Sequence, residues 1–471
     1  MLYAMLYAML RAVAAIALRW YYADVVVQGA ERAPRDRPLL VVANHPNALV
    51  DPLLVGTTLH RRVLLTAKAT LFEQPAVGAL LRAVGVIPLR RASDERRAGG
   101  STTPERNVRA FERVSAALRR GGCVLVFPEG VSHDDPSIAP LRSGTARMAM
   151  RARDEGVVEL AILPVGLIYE EKERPGSGAL VRVGEPLVLE QWLASTAEPD
   201  GAMLTAAIDA RLRSVTLNFA SAERANRAVR LAKVFSALAS EPVGVGAPRV
   251  LDAELARRVD TAMAALAEAP ASVRGAAGEL AAEIEALREE ARRHGVSLAD
   301  ARISTRAADA LAFVLREGPL VLVAGVCLVL GWATHWPPLR LARVLARRTL
   351  RRDPSRDQPA MRTILFGLAA VVLWYIMLAA LLAPAVGLVR TVLSLAVIFF
   401  AAHLLRLRGG RLRRSLARAR TYLAFRADPS LQSRIVGRID ALLDAVRGLE
   451  ERLLADGDQA SRARLAEQRS D

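Results

Sequence analysis

The chain has 471 residues, 52% of them hydrophobic and only 5% aromatic, with a formal net charge of +17. A hydrophobic share that large, with positive mean hydropathy, excludes a wholly water-solvated protein and assigns part of the chain to lipid. The charge is mostly arginine, thickest beside apolar segments; it points to an anionic membrane surface or phosphorylated substrates, and nucleic acid is not an expected partner without stacking or zinc-finger patterns.

Residues 1–24 are apolar through residue 22, interrupted by Arg11 and Arg19, with no small-residue cleavage site before Gln28-Gly29. They read as an uncleaved helix lying in the membrane interface. Residues 25–220 alternate short apolar runs with helical patterns, the rhythm of an α/β domain. Strands are expected at Pro38–Ala43, Val63–Thr66, Cys123–Phe127 and Ile162–Tyr169, with a last strand and turn over Val181–Leu189. Val108, Phe111, Val114 and Leu118 keep helical spacing, and Gly121-Gly122 closes that helix where a left-handed residue is wanted. The polar run at 92–103 reads as a mobile loop able to act as a lid, and 202–219 as a closing helix.

Residues 221–310 are helical, with apolar stripes at Leu255, Val259, Met263 and Leu266 and at Leu280, Ile284 and Leu287. Residues 311–406 hold two apolar blocks. Ile364–His403 suits a hairpin of two spanning helices broken near Pro384 and Gly387. The arginine clusters at 340–352 and 406–414 flank it, so the positive-inside rule places both in the cytoplasm. Pro319–Trp336, bounded by prolines, reads as re-entrant or interfacial, because one crossing there would put the preceding domain outside. Residues 407–471 form a basic tail whose Leu431, Ile435, Ile439, Leu442, Val446, Leu449 and Leu453 define an amphipathic helix for packing or self-association.

The chemistry concentrates in Val41-Val42-Ala43-Asn44-His45-Pro46-Asn47-Ala48-Leu49-Val50-Asp51-Pro52. A strand delivers His45 into a polar turn, and Asp51 follows where its carboxylate can fold back onto the imidazole. A carboxylate holding the Nδ1 proton leaves Nε2 free to take a proton from an alcohol, help worth about 10² to 10⁴ in rate. Taken alone, the pair more often means a turn histidine capping the next helix. Downstream, however, come Gly85-Val86-Ile87-Pro88-Leu89-Arg90-Arg91, Phe127-Pro128-Glu129-Gly130 and Ile162-Leu163-Pro164-Val165-Gly166.

These four ordered blocks, within residues 25–220, resemble the glycerolipid acyltransferase family. The resemblance implies an α/β acyltransferase domain, a mixed sheet flanked by helices, ahead of the helical and membrane regions. It implies His45 as base and Asp51 as its orienting partner, Arg90 as a ligand of the acceptor phosphate, and Glu129 and Gly130 as acceptor-positioning residues. The fourth block is implied to help form the acyl site, with Pro164 structural. Five residues separate His45 from Asp51 where the family usually has four. Together with Phe127-Pro128-Glu129-Gly130-Val131-Ser132-His133-Asp134, this resembles the branch of fungal-type glycerol-3-phosphate and dihydroxyacetone-phosphate acyltransferases. The implied reaction is acyl transfer from acyl-CoA or acyl carrier protein to glycerol 3-phosphate, or to glycerone phosphate as well, in phospholipid synthesis.

The residue types suit that chemistry. A phosphomonoester is nearly dianionic and an arginine offers it a bidentate fork. Arg90 and Arg91 point to opposite faces of a continuing strand, so one is surface charge, and the family's proline-to-arginine spacing selects Arg90. Lys68 and His133 are weaker candidates. A Glu129 carboxylate would repel phosphate, so it suits acceptor hydroxyls or an arginine, or else a turn. The six histidines show no metal-ligand spacing and the two cysteines no disulfide framework, so neither metal nor resident cofactor is expected. Without a Gly-x-Ser-x-Gly elbow, direct attack on the thioester is favoured over an acyl-serine. One rival keeps the chemistry and takes lysophosphatidic acid as acceptor; another is a non-catalytic membrane adaptor. A channel is disfavoured, since the apolar blocks hold few polar residues beyond Arg390 and His403.

Overall fold

Five consecutive apolar residues, Leu39–Ala43, make a strand buried along its whole length, as expected for a strand covered on both faces. In the computed structural model, which describes residues 2–89, 108–239, 252–352 and 359–467, this strand lies near the middle of an eight-stranded mixed sheet. The chain divides into two units, residues 1–218 with 335–396 and residues 219–334 with 397–471.

In the first unit, α1 (Leu2–Tyr21) leads to β1 (Asp24–Gln28), β2 (Leu39–Ala43), α2 (Val50–Thr58), β3 (Val63–Lys68), α3 (Pro75–Ala83) and β4 (Ile87–Leu89). Then come α4 (Val108–Arg119), β5 (Cys123–Val126), α5 (Gly144–Asp154), β6 (Ala161–Tyr169), β7 (Gly178–Val183), β8 (Leu187–Val188), α6 (Leu189–Ser195) and α7 (Gly201–Val215). The strand order is β1-β7-β6-β2-β5-β3-β4, with β8 also on β6. From β6 to β4 the strands run parallel, while β7 and β8 are antiparallel to β6. The five parallel strands therefore end on one edge, and the turns after β2 and β5 meet there.

Alternation along β2 separates two cores. Leu39, Val41 and Ala43 pack with Leu18, Tyr21, Tyr22, Leu54 and Val55 of the α1–α2 side. Leu40 and Val42 pack with Phe111, Val114, Ala149, Leu204 and Ile208 of the α4, α5 and α7 side. The N-terminal helix is thus a structural layer of the domain. Its Arg11 donates to the Leu59 carbonyl at 2.7 Å, beyond the end of α2.

The second unit contains α8 (Ala222–Ala239), α9 (Ala253–Glu268) and α10 (Ala271–Arg293). After them come α11 (Ala307–Arg352), α12 (Pro359–Val386), α13 (Leu388–Ala427) and α14 (Pro429–Glu467), of which α11 to α13 belong to it only in part. Three stretches, Ala307–Cys327, Ala360–Val386 and Leu388–Arg406, are long and apolar enough to cross a membrane. Exposed Leu322, Leu373, Val389 and Phe400 along them need lipid as a cover. The expected break falls at Gly387, whose φ of 81° ends one helix before the next begins.

One expectation is corrected here. Pro319–Trp336 does not turn back: it lies inside one 46-residue helix that runs straight through Pro319 and Pro337-Pro338, and the stretch suited to spanning begins upstream at Ala307. Prolines are weak boundary markers where neighbouring helices re-satisfy the freed carbonyls. One carboxylate inside that stretch, Glu317, is buried and held bidentately by Arg411 at 2.8 and 2.9 Å, with Ser415 at 3.1 Å. The stripe Leu431, Ile435, Ile439 and Leu442, expected to pack or self-associate, packs against the chain's own Val234, Ile284, Leu287 and Phe425.

Candidate active site

The Asn44–Leu49 turn leaves the carboxyl end of β2 at the shared strand edge. Asn44 locks its start, donating to the Leu167 carbonyl at 3.0 Å and accepting from the Leu167 N–H at 2.7 Å, which continues the β2–β6 pairing through a side chain. Ala48 then takes φ +38°, an uncommon angle for a residue with a Cβ. The extra residue between His45 and Asp51 is absorbed in this turn.

Asp51 stands in the first turn of α2, fully buried, where the helix N-terminus favours negative charge. Its Oδ2 lies 2.9 Å from His45 Nδ1 and accepts from the Asn47 N–H at 2.7 Å. Its Oδ1 accepts from the Tyr169 hydroxyl at 2.6 Å. Burial first, then the Asp51 charge, holds Tyr169 well above the usual phenol range, so that hydroxyl keeps its proton and remains a donor. Opposite a carboxylate Nδ1 carries the imidazole proton, and Nε2 is left as the basic nitrogen. Phe127 stacks on the His45 ring at 3.9 Å between centroids and 12° between planes, which restricts rotation out of this alignment.

Glu129 lies beneath the same turn. Its carboxylate accepts from the His45 N–H at 2.9 Å, from the Ala139 N–H at 2.7 Å and from His133 Nε2. The His133 N–H in turn donates to the His45 carbonyl at 3.2 Å. Glu129 thus joins the His45 turn to the loops of Ala139 and His133. Gly130 has φ +76°, and a Cβ there would sit 2.9 Å from Cδ and Nε of Arg142, so its lack of a side chain lets Arg142 lie over the turn.

Residues 24–168 match the protein-family model described as Acyltransferase. This is an acyltransferase-family domain. Over 254 residues the chain is 26% identical to an uncharacterized acyltransferase of Schizosaccharomyces pombe, covering 36% of this chain and 37% of that one. Over 85 residues it is 39% identical to Glycerol-3-phosphate O-acyltransferase 2 of Saccharomyces cerevisiae, covering 18% of this chain and 11% of the relative. A 1-acyl-sn-glycerol-3-phosphate acyltransferase of Borreliella burgdorferi is 28% identical over 159 residues, 34% of this chain and 57% of its own. The chain spans well under two thirds of each of these relatives.

Within the domain, Lys68 ends β3 in register with Leu89, which brings it to the site's edge beside the point where the Gly85–Arg91 block continues. Arg90, Arg91 and the 92–103 loop lie outside the described residues. Pro164 pairs with Val42 inside β6, and its carbonyl accepts from the Gly184 N–H. That position falls between β7 and β8, so the missing proline N–H leaves no ladder bond unmade. A Cβ on Gly166 would lie 2.1 Å from the Val215 carbonyl oxygen. The fourth block is thus the seat of the α7 end, a packing junction.

Several site residues escaped sequence reasoning. Tyr169 closes β6, Asn47 donates to the Tyr22 hydroxyl at 2.9 Å, and Lys172 reaches the Pro46 carbonyl at 2.7 Å while pairing with Asp134. Arg142, exposed over Gly130, was likewise unmarked. Asn44 and Asn47 were visible as the polar neighbours of His45; the others act across long sequence separations and left no local signal.

Proposed function

We propose that this chain transfers a fatty acyl group from an acyl thioester, on coenzyme A or acyl carrier protein, to a hydroxyl of glycerol 3-phosphate, or of glycerone phosphate as well, at a membrane in phospholipid synthesis. The observation that carries this reading is the buried Asp51 carboxylate aligned on His45 Nδ1 at 2.9 Å, with Nε2 making no hydrogen bond among the described residues. Nε2 takes the proton of the acceptor hydroxyl as its oxygen attacks the thioester carbonyl. The C–S bond then breaks, and the imidazolium returns the proton to the leaving thiolate, giving ester and free thiol. Asn47 and Tyr169 keep Asp51 aimed at the imidazole throughout. Arg90, by resemblance, and Arg142, by its place over the Gly130 turn, supply cations for the acceptor phosphate. The similarity to a yeast glycerol-3-phosphate acyltransferase, together with the longer His-to-Asp spacing, favours that acceptor. The domain works at the cytoplasmic face, the side that the arginine clusters favour.

The Borreliella burgdorferi relative supports a second reading, in which the acceptor already carries one acyl chain. Both are tested by supplying membranes bearing the chain or its His45→Ala form with a long-chain acyl thioester and either labelled glycerol 3-phosphate or labelled lysophosphatidic acid. Product from glycerol 3-phosphate that disappears in the variant is the expected result; product from lysophosphatidic acid alone moves the acceptor one acylation later. No His45-dependent product from either overturns the assignment.

A further inference from the structure

At the opposite edge of the sheet from His45, where β3, β4 and β5 begin, there is a cleft of about 760 Å³ lined by Arg61, Arg62, Arg82, Arg113 and Arg120. Leu64, Val86, Ile87, Ala116 and Ala117 supply the apolar part of its wall, and among the described residues no aspartate or glutamate lines it. The strands separating the two edges are short: four residues of β5 span roughly 13 Å. The cleft is therefore a separate opening from the turn that carries His45.

Arg61 and Arg82 are positioned by neutral partners. Arg61 donates to the carbonyls of Pro34 at 2.9 Å, Arg37 at 2.7 Å and Gly121. Arg62 lies over the Tyr7 ring, 5.1 Å from its centroid, and Arg82 donates to the Phe72 carbonyl at 3.2 Å. None of Arg61, Arg82, Arg113 and Arg120 makes an ion pair among the described residues. Carbonyls and ring faces orient a guanidinium without removing its charge, so these contacts hold like charges together against their repulsion. The remaining titratable group, the Cys123 thiol, is pushed up to about 12 by burial despite the nearby Arg61, and brings no negative charge. Among the described residues, no carboxylate supplies counter-charge to Arg61, Arg82, Arg113 or Arg120.

We propose that this cleft is a second, non-catalytic binding site for an organic phosphate, its phosphate group on the arginine rim and its apolar body against the Leu64–Ile87–Ala117 wall. The volume lies within the usual range of small-molecule sites and far exceeds what a bare phosphate needs. The same chemistry is presented by a soluble phosphorylated metabolite and by the headgroup of an anionic lipid.

The test is equilibrium binding of labelled inorganic pyrophosphate to the purified full-length chain in neutral detergent. Three proteins are compared: the unchanged chain, His45→Ala, and the triple variant Arg82→Ala, Arg113→Ala, Arg120→Ala, all three arginines being exposed. The unchanged chain and His45→Ala should bind alike, while the triple variant should lose more than about tenfold, the effect of even one charged hydrogen bond. Circular dichroism checks that each variant is folded, and Arg113→Gln with Arg120→Gln is a milder second version. Displacement by ADP in solution identifies a soluble source; displacement by phosphatidic acid in the micelle identifies a headgroup. Pyrophosphate bound equally by the arginine variants, or not bound by the unchanged chain, overturns the proposal.

Discussion

The two edges of the parallel strands place charge in opposite ways. At the carboxyl edge the buried acids are closed by the chain itself: Asp51 has His45, the Asn47 N–H and Tyr169, and Glu129 has the His45 N–H, the Ala139 N–H and His133. At the amino edge Arg61 and Arg82 are held by backbone carbonyls, and among the described residues no acid lines the cleft they share. Internal pairing fixes geometry, because each buried acceptor left unmatched carries a penalty of about 1 to 3 kcal/mol. Unpaired but oriented charge does the reverse: it leaves the free chain slightly worse off and prepares it to receive an anion. On this comparison, removing a charge at the carboxyl edge damages geometry and chemistry together, whereas removing one of the exposed arginines at the amino edge damages binding alone.

The largest effect is expected from Asp51→Asn. An amide in place of the carboxylate turns its NH2 either toward His45 Nδ1 and the Asn47 N–H, which share Oδ2, or toward the Tyr169 hydroxyl on Oδ1, and in both cases the negative charge that supports the imidazolium is gone. Acyl transfer should fall about 10²- to 10⁴-fold, measured as initial rate with saturating thioester. A variant with near-normal rate would remove Asp51 from the mechanism and leave it a turn carboxylate. Glu129→Gln comes next, since three donors converge on that carboxylate and an amide nitrogen cannot accept from any of them. Stability should drop by about 1 to 3 kcal/mol, read from denaturant unfolding, with activity following the folded fraction. Full stability with a raised KM for the acceptor would instead make Glu129 a substrate ligand, and the comparison would break at its centre.

Glu129 also shows where sequence reasoning stops. The β2 and β5 strands were legible because continuous apolar runs demand cover on both faces, and the His45–Asp51 juxtaposition was legible because six positions of turn and helix start bring the two side chains together. A motif names Glu129 but does not give the direction of its carboxylate, which depends on the Ala139 and His133 loops packing over it. Tyr169 and Lys172 reach the turn from more than a hundred residues away, and no local period announces that. In the helical half, Pro319 and Pro337 read as boundaries, yet a helix with neighbours to re-satisfy its carbonyls continues through them. The Leu431–Leu442 stripe announced an apolar face and not its occupant, which proves to be the chain's own α10 and residues around Val234 and Phe425.

The smallest effect separates two kinds of arginine within one cleft. Arg61 is half-buried and satisfies three backbone carbonyls near the strand starts. Arg61→Ala strands those acceptors and should lower the melting temperature. Arg113 and Arg120 are exposed and make no ion pair among the described residues, so Arg113→Ala or Arg120→Ala removes only repulsion from neighbouring guanidiniums. Melting of these two variants in low salt should be unchanged or slightly raised, and any gain should vanish at high ionic strength, where the repulsion is screened. A salt-sensitive gain would mean that the cleft holds its charges together at a cost to the free chain, a cost that an incoming anion would relieve. A loss of stability in both would mean that the chain already uses those guanidiniums, and the two edges of the sheet would then differ in degree and no longer in kind.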